Sequence, residues 1–311
     1  LLLESEVVVL AREDPEQAFR YHAIEVLKGD PGDEKIDLFL NSSTRRLLSV
    51  YPDRSAVLTR AAKDGEPSWR NVGIADPEFE PLVRQILESA ADWKKDPAGR
   101  TAFFSKHLGD ANSDLGKLAL LEVGRSPYAE IRKLGGALSR DQIHAFLANF
   151  RYIEWHALYI LLLAQSDDAE DHQFIMDSFH SARRFATTVQ LAAWATAAIE
   201  LEGMKVIDLI EEEYFSNPAR SPKELVEITK ALSVHGTSGS PALQDRIVTS
   251  YGALLTLSPA MAPQVTDDLL AWKRTEYAAR IGRIVADTPL SFDFPTTLRL
   301  QAYARRANPE D

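Results

Sequence analysis

The positions of the prolines limit the fold of this chain more than any other pattern in its sequence. From Asp76 onward, six prolines directly follow a serine or an aspartate. A serine or aspartate at a helix N-cap accepts a hydrogen bond from an otherwise unpaired amide, and proline at the next position lacks only an N–H that would have had no partner. The pairs therefore predict a series of short helices. They are Asp76-Pro77, Asp96-Pro97, Ser126-Pro127, Ser221-Pro222, Ser240-Pro241 and Ser258-Pro259.

Two capping boxes are further signals of where helices begin. Glu224 lies three residues after Ser221, and Gln142 lies three residues after Ser139. In a capping box the later side chain bonds back to the backbone amide of the N-cap residue. We therefore expect helices to begin just after Ser139 and Ser221.

The apolar spacing in this region is also helical. Apolar residues recur every three or four positions, as on one face of an α-helix. Residues 189–199 are apolar almost all round, which is typical of a helix packed between neighbours. The apolar stripes are Ile153, Ala157, Ile160, Leu161 and Ala164; Leu243, Ile247, Tyr251 and Leu254; and Tyr277, Ile281, Ile284 and Val285.

Helix pairs are expected to start near residues 112, 152, 187, 221 and 259. This spacing of about 34 to 40 residues is that of two-helix solenoid repeats. One amphipathic pair cannot bury its stripe alone, so each repeat needs neighbours on both sides. The region resembles degenerate HEAT-type repeats, which implies an α-α superhelix. A helical bundle without superhelical order is the structural alternative.

The first 75 residues have strand periodicity instead. Residues 6–12 form a β-branched apolar run that ends at Glu13, and residues 18–28 form a second strand whose apolar phase shifts, as at a β-bulge. Ile36, Leu38 and Leu40 alternate with charged residues and predict a third strand, and residues 55–74 predict a hairpin. Short strands without intervening helices favour a small closed or half-closed barrel.

One strand motif resembles a known family. Glu25-Val26-Leu27-Lys28-Gly29, followed by a hairpin with Asp64-Gly65 and Trp69, is similar to the netrin-like, OB-type barrels of bacterial envelope proteins. The resemblance implies a periplasmic or secreted location, with a cytoplasmic one as the alternative. The metalloprotease inhibition of some netrin-like domains needs an N-terminal cysteine, and this protein has none. The predicted fold is α+β, mostly α: a barrel over residues 1–75 and a HEAT-like domain over residues 76–311.

Charge and composition exclude several functions. The sequence has 35 basic and 46 acidic residues, a net charge of −11, which argues against nucleic acid or an anionic membrane as the main partner. The absence of cysteine excludes disulfides, thiolate zinc sites and cysteine nucleophiles. No apolar run approaches the roughly 18 residues of a membrane span. The sequence begins at Leu1 without a methionine, which leaves room for a preceding segment such as a signal peptide.

Two glycine motifs do not meet the requirements of a catalytic loop. Gly116-Lys117 is followed by Leu118, where a phosphate-binding loop needs serine or threonine, and the preceding glycine, Gly109, is two residues too far away. Gly236-Thr237-Ser238-Gly239 lacks the Gly-x-Ser-x-Gly spacing of a nucleophile elbow. We interpret the second motif as a flexible linker between two helices.

Asp168, His172 and His180 share one predicted helix face. The two histidines would lie about 12 Å apart along the helix axis, too far to share a metal ion directly. Asp168 and His172 alone would form a weak exposed ion pair. The acidic run Asp167, Asp168, Glu170 and Asp171 is expected to solvate a helix start, and Glu211-Glu212-Glu213 a helix face.

Several further residues have a structural and a functional interpretation. Arg183-Arg184 is expected to pair with a nearby carboxylate, and alternatively to anchor an acidic partner. Trp155 and Tyr159 are expected in the core, and alternatively to line a groove for a partner. Aromatic residues expected at the junction between the barrel and the helices are Trp93, Phe103 and Phe104.

These observations favour a non-catalytic interaction or scaffold protein of the bacterial cell envelope whose partner is another protein. We predict no catalytic residue, no cofactor and no metal ion. The alternative is an enzyme or small-ligand binder whose site forms between barrel and solenoid from residues distant in sequence. A purely structural module is a third interpretation.

Overall fold

A computed structural model describes residues 2–32, 35–63, 66–110, 113–287 and 292–307. The contacts divide the protein into two units, Leu1–Arg100 and Thr101–Asp311. The fold is α+β and mostly α, as predicted. The predicted domain boundary, between residues 75 and 76, lies where the periodicity of the sequence changes. The boundary between the two units lies further along the chain, between residues 100 and 101, after the first helix that follows residue 76.

The first unit is built on one antiparallel sheet with the strand order β2-β1-β3-β4. Its elements are β1 (Val7–Glu13), β2 (Tyr21–Lys28), α1 (Ser42–Val50), β3 (Ser55–Lys63), β4 (Glu66–Ala75) and α2 (Phe79–Trp93), and α3 (Pro97–Ser105) begins at its end. Within the described residues β2 and β4 do not pair with each other, so the sheet is open. The prediction of a small β-barrel is therefore wrong.

Helices cover the open sheet, which explains why it does not close. Val7, Val9 and Ala11 share one core with Leu48 of α1, whereas Val8 and Leu10 share another with Val83 of α2. Because successive side chains of a strand point to opposite faces, a strand buried on both faces is a continuous apolar run. The run in β1 reflects this double burial.

The strand predictions are confirmed except for the third. β1 pairs with β2, and the register slips between Val8 and Val9 and again between Leu10 and Ala11, as the shifted apolar phase predicted. The hairpin β3–β4 is present, and its Asp64-Gly65 turn lies outside the described residues. Residues 36–40 form no strand, only an isolated bridge between Arg20 and Phe39.

The second unit consists of helices. They are α4 (Ser113–Gly124), α5 (Tyr128–Ile131), α6 (Arg140–Ala148), α7 (His156–Leu163), α8 (Ala169–Arg184), α9 (Leu191–Glu202), α10 (Met204–Ile210), α11 (Pro222–Ser238), α12 (Pro241–Leu257), α13 (Ala262–Ala271), α14 (Ala278–Asp287) and α15 (Phe294–Ala304). Short 3-10 segments lie at Arg132–Leu134, Phe150–Trp155, Pro259–Met261 and Arg305–Ala307. A π-helical turn, Glu211–Phe215, follows α10.

The HEAT-like superhelix is not confirmed. The described helices range from 4 to 17 residues, and 3-10 and π segments interrupt them, so they show no regular repeat of helix pairs. The packing does follow the sequence order: α9 contacts α7, α8 and α11, and α11 contacts α12 and α13. One core extends from Phe179 to Tyr303. As predicted from its apolar composition, α9 is buried on nearly all sides.

The predicted helix starts are largely confirmed. Capping boxes are present at Ser139 and Ser221, and the Ser240 side chain accepts a hydrogen bond from Leu243 N. Three pairs behave differently: the helix after Asp76 begins at Phe79 with Glu78 as its N-cap, the helix after Ser126 begins one residue later than expected, and Ser258 makes no side-chain cap. The start expected near residue 112 lies outside the described residues.

Candidate functional site

A polar cleft of about 690 Å³ lies in the helical unit. Its walls are the C-terminal half of α8, the π-helical turn and the loop before α11. We call it the polar cleft. Its principal residues are His180, Arg183, Arg184, Phe185, Glu213 and Arg220.

The end of α8 presents an aromatic ring at the rim of this cleft. Arg183 and Arg184 occupy the last turn, where positive charge suits the helix dipole. Ala186 then adopts a left-handed conformation with φ of 52°. Phe185, between the helix and this turn, is 70% exposed. The Arg184 guanidinium lies 5.4 Å from the centroid of its ring.

The opposite wall contains the π-helical turn, a rare element that is frequent at functional sites. The Glu213 carboxylate lies 3.4 Å from Arg183 and 3.9 Å from Arg220. Tyr214, the next residue, is buried with the Arg220 guanidinium 4.5 Å from its ring centroid. The turn therefore supplies a carboxylate to the wall of the cleft and a buried aromatic ring that contacts Arg220.

Arg220 and Glu224 form the innermost ion pair of the cleft. Arg220 donates to Glu224 Oε1 at 2.9 Å and to the carbonyl oxygens of Arg183 at 2.8 Å and Glu213 at 2.9 Å. Burial by itself would raise the pKa of Glu224, but hydrogen bonds from Ser221 and Arg220 outweigh it and hold this pKa below its usual value. Glu224 is therefore ionised and balances Arg220.

Two buried polar atoms near the cleft have no hydrogen-bond partner within the described part of the protein: His180 Nδ1 and the Tyr214 hydroxyl. Burial raises the pKa of Tyr214 to about 12, so this hydroxyl stays protonated. An unpaired polar atom in a protein interior is unfavourable and calls for an explanation.

The charges of the cleft are nearly balanced. Glu213 pairs with Arg183 and Glu224 with Arg220, whereas Arg184 forms no ion pair with any described residue. Asp177, which lies in α8 like Arg183 and Arg184, accepts a hydrogen bond from Gln173 Nε2 at 2.8 Å. The arrangement can accept a carboxylate at Arg184 beside an apolar group on Phe185.

Sequence features that we considered separately meet in this cleft. His180, Arg183-Arg184 and Glu213 are brought together although they belong to three different motifs. The predicted pairing of the arginines with a carboxylate is confirmed for Arg183. Sequence reasoning did not identify Phe185, and it did not identify Arg220. The Ser221 capping box was the one signal near Arg220, since Glu224 serves both the cap and the arginine.

The predictions of an Asp168–His172 ion pair and of a solvated acidic run are wrong in part. Asp168 caps α8 and pairs with Arg140 at 3.2 Å, and His172 Nε2 hydrogen-bonds to the Ser166 carbonyl at 2.6 Å. Asp171 is not solvated but completely buried. Likewise Glu211 of the predicted solvated face pairs with Arg246 at 2.7 Å. Of these three carboxylates, only that of Asp171 is removed from bulk water, whereas the side chains of Asp168 and Glu211 stay 39% and 32% exposed within their ion pairs.

Trp155 and Tyr159 have different environments. Tyr159 is fully buried and stacks on Phe146 with 4.4 Å between ring centroids, which confirms its place in the core. Trp155 lines a small apolar groove of about 240 Å³ together with Leu121 and Leu158. The core interpretation is therefore confirmed for Tyr159, and a partner in the groove at Trp155 stays a prediction.

The two glycine motifs lie in helices. Gly116-Lys117 belongs to α4, in agreement with its rejection as a phosphate-binding loop. The linker interpretation of residues 236–239 is wrong, because Gly236 to Ser238 form the last turn of α11 and Gly239 follows as its C-cap. A Cβ added at Gly236 would lie 2.2 Å from the ring of Trp272, so the glycine permits a close approach of that ring.

The predicted junction residues lie in different units: Trp93 in the first, Phe103 and Phe104 in the second. The junction stays a prediction.

The described ranges contain neither a candidate metal site nor a candidate membrane span. No three histidine, aspartate or glutamate side chains there lie close enough to hold a metal ion. None of the helices in those ranges has the length and apolar character that crossing a membrane requires. Comparison with known proteins also found no relationship: no protein-family model, no curated protein and no solved structure matches the sequence.

Proposed function

We propose that this protein is a non-catalytic protein-binding module, and that its polar cleft holds a partner segment bearing a carboxylate next to an apolar side chain. One observation carries the proposal. Phe185 is 70% exposed beside Arg184, which forms no ion pair with any described residue. Aromatic residues, phenylalanine among them, and arginine are enriched in protein interfaces relative to the rest of the surface.

The charge balance of the cleft supports this partner chemistry. Arg183 and Arg220 are each matched by a carboxylate of the cleft, so only Arg184 is available for an anionic group. A highly acidic partner would meet Glu213, Glu224 and Asp177, and burying like charges together is unfavourable. A segment with one carboxylate beside a large apolar side chain would avoid this repulsion and would cover the exposed ring.

The location in the bacterial cell envelope stays part of the proposal. It depends on the resemblance of residues 25–29 and the following hairpin to netrin-like proteins, and a cytoplasmic location is its alternative. Fractionation of the source cells tests the location: recovery of the protein in the cytoplasmic fraction would contradict it.

Site-specific photo-cross-linking tests the binding function. A benzophenone amino acid at position 185 is expected to yield a protein adduct in living cells. The same amino acid at position 174 serves as the control, because Phe174 lies in the same helix and is 39% exposed. Arg184→Glu should abolish the adduct at position 185 because it replaces the available cation with an anion.

The outcomes of this experiment are distinct. A single protein adduct that requires position 185 and Arg184 supports the proposal, and its cross-linked peptide should contain an aspartate, a glutamate or a free terminal carboxylate. The absence of any protein adduct would overturn the proposal in favour of the small-ligand alternative. Equal adducts at positions 174 and 185 would show non-specific contact and would also overturn it.

A further inference from the structure

We propose that the first unit carries a separate binding site for a neutral saccharide, in a cleft beside Phe19 and Phe39. The cleft has a volume of about 480 Å³. The lining residues that bear on the proposal are Asp14, Gln17, Arg20, His22, Lys35 and Asp37. We call it the aromatic-edge cleft.

An exposed aromatic pair lies at the margin of this cleft. The rings of Phe19 and Phe39 stack with 5.8 Å between their centroids and 8° between their planes. Phe39 is 64% exposed. It is bridged to Arg20, which lines the cleft, and lies two residues beyond Asp37, which also lines it. Neither ring lines the cleft itself, so a ligand that contacts Phe39 must extend out of the cleft past Arg20.

The backbone holds Phe19 in an unfavourable conformation to form this pair. Phe19 has φ of 65°, a left-handed region that bulky side chains rarely adopt. Its N–H donates to Glu13 Oε1 at 3.1 Å, and its carbonyl accepts from Leu40 N at 2.9 Å. The Arg45 guanidinium lies 4.6 Å from the Phe19 ring centroid. Unusual backbone conformations that several contacts maintain are concentrated at binding sites.

The charges of the aromatic-edge cleft identify the class of ligand. Arg20 pairs with Asp37 at 3.0 Å, and the remaining cation, Lys35, is matched in number by Asp14. The described lining residues thus carry equal numbers of positive and negative groups, and such a lining does not attract a polyanion, which argues against an oligonucleotide or a highly acidic peptide.

A saccharide combines the two features that the cleft offers to bind. The C–H face of a sugar ring can pack on a phenyl ring, and its hydroxyl groups both donate and accept hydrogen bonds. Carboxylate, guanidinium, amide and imidazole groups supply the complementary donors and acceptors at fixed positions. The amide is that of Gln17 and the imidazole that of His22, and both line the cleft.

A titration followed by NMR tests this inference on the full-length protein. The probes are cellotriose, maltotriose and chitotriose, each added to the isotope-labelled protein up to millimolar concentration. At least one is expected to shift the amide signals of Gln17 and His22. Phe39→Ala should weaken that binding about five- to tenfold, the effect of losing one stacking contact.

Two further variants make the result decisive. Val50→Ala removes another exposed apolar side chain of the same unit, 59% exposed, and should bind as the parent protein does. Asp37→Ala, whose side chain is 93% exposed, should weaken binding without affecting the fold. The inference is overturned if none of the three sugars shifts the cleft signals, or if Phe39→Ala binds as tightly as Val50→Ala. Binding of a proline-rich peptide in place of the sugars would also overturn it.

Discussion

Replacing Asp171 with asparagine is expected to destabilise the helical unit by about 3 kcal/mol. The Asp171 carboxylate is completely buried and accepts three hydrogen bonds. They come from Arg140 Nε at 2.8 Å, His144 Nε2 at 2.6 Å and Ser166 Oγ at 2.7 Å. An ionised carboxylate only accepts, so the proton of His144 must be on Nε2. The group thereby ties α6 to the start of α8.

The expected loss of stability follows from the number of hydrogen bonds to the charged carboxylate that are lost. A hydrogen bond to a charged group contributes roughly 1.5 to 3 kcal/mol. Asparagine keeps one acceptor oxygen but presents an NH₂ group where Asp171 accepted, so one or two of the three bonds are lost. Breaking a buried ion pair from one side costs about 3 to 5 kcal/mol, so the expected loss lies at the lower end of that range.

Urea unfolding followed by far-UV circular dichroism measures this loss. With an m value of about 2 kcal/mol per M, the midpoint should fall by roughly 1.5 M. Glu170→Gln is the matched control, because Glu170 accepts from the same Arg140 at 2.8 Å but its side chain is 83% exposed. The control should lose less than about 0.5 kcal/mol. Equal midpoints for the two variants would refute the argument that burial makes the difference.

The same carboxylate predicts a dependence on pH. Burial by itself would raise the pKa of Asp171, but hydrogen bonds from Arg140, His144 and Ser166 outweigh it and lower this pKa below its usual value. A lowered pKa contributes stability that is complete above the unfolded-state pKa, about 3.9, and is lost as the pH falls through the folded-state value. The difference in stability between the parent protein and Asp171→Asn should therefore shrink in acid.

Three further changes have expected outcomes that urea unfolding also measures. Burial raises the pKa of Asp268. The contribution of this carboxyl group to the free energy of unfolding is therefore complete below about pH 4 and is lost as the pH rises. Between about pH 4 and 7, Asp268→Asn should consequently lose less stability than the parent protein. Gly236→Ala places a Cβ 2.2 Å from the ring of Trp272 and should cost about 1 to 3 kcal/mol. Phe179→Ala empties a fully buried site and should cost about 3 to 5 kcal/mol.

Each of these predictions has a contradicting result. Parallel pH profiles for the parent and Asp268→Asn would exclude a raised pKa at that carboxylate. Gly124→Ala is the control for Gly236→Ala, since an added Cβ at Gly124 meets nothing within 4 Å; equal effects of the two would refute the clash. A loss below about 1 kcal/mol for Phe179→Ala would mean that the core repacks around the missing ring.

Features that depend on neighbouring residues could be predicted from the sequence. The cap at Ser221 needs only Glu224 three residues later, and the apolar run of β1 needs only its own side chains. The bulges of β2 were visible because a one-residue slip moves the apolar phase to the other face of the strand. In these cases the interacting groups lie within a few residues of each other.

The third strand illustrates where such reasoning ends. Ile36 and Leu40 are buried, so the alternating pattern correctly indicated one buried face. It could not indicate whether another strand lies alongside, and the backbone instead continues into α1 after an Asn41 cap. The same limit applies to the barrel, because closure depends on how helices cover the sheet.

In the polar cleft, too, some features follow from the sequence and others only from tertiary structure. The cap that positions Glu224 follows from the sequence. The carboxylate that Arg183 contacts lies 30 positions away, at Glu213. Local caps and apolar periodicity thus depend on the sequence itself, because their partners are covalently near. The open sheet, the buried Asp171 and the cleft depend on tertiary structure, because only packing brings distant charges and rings into contact.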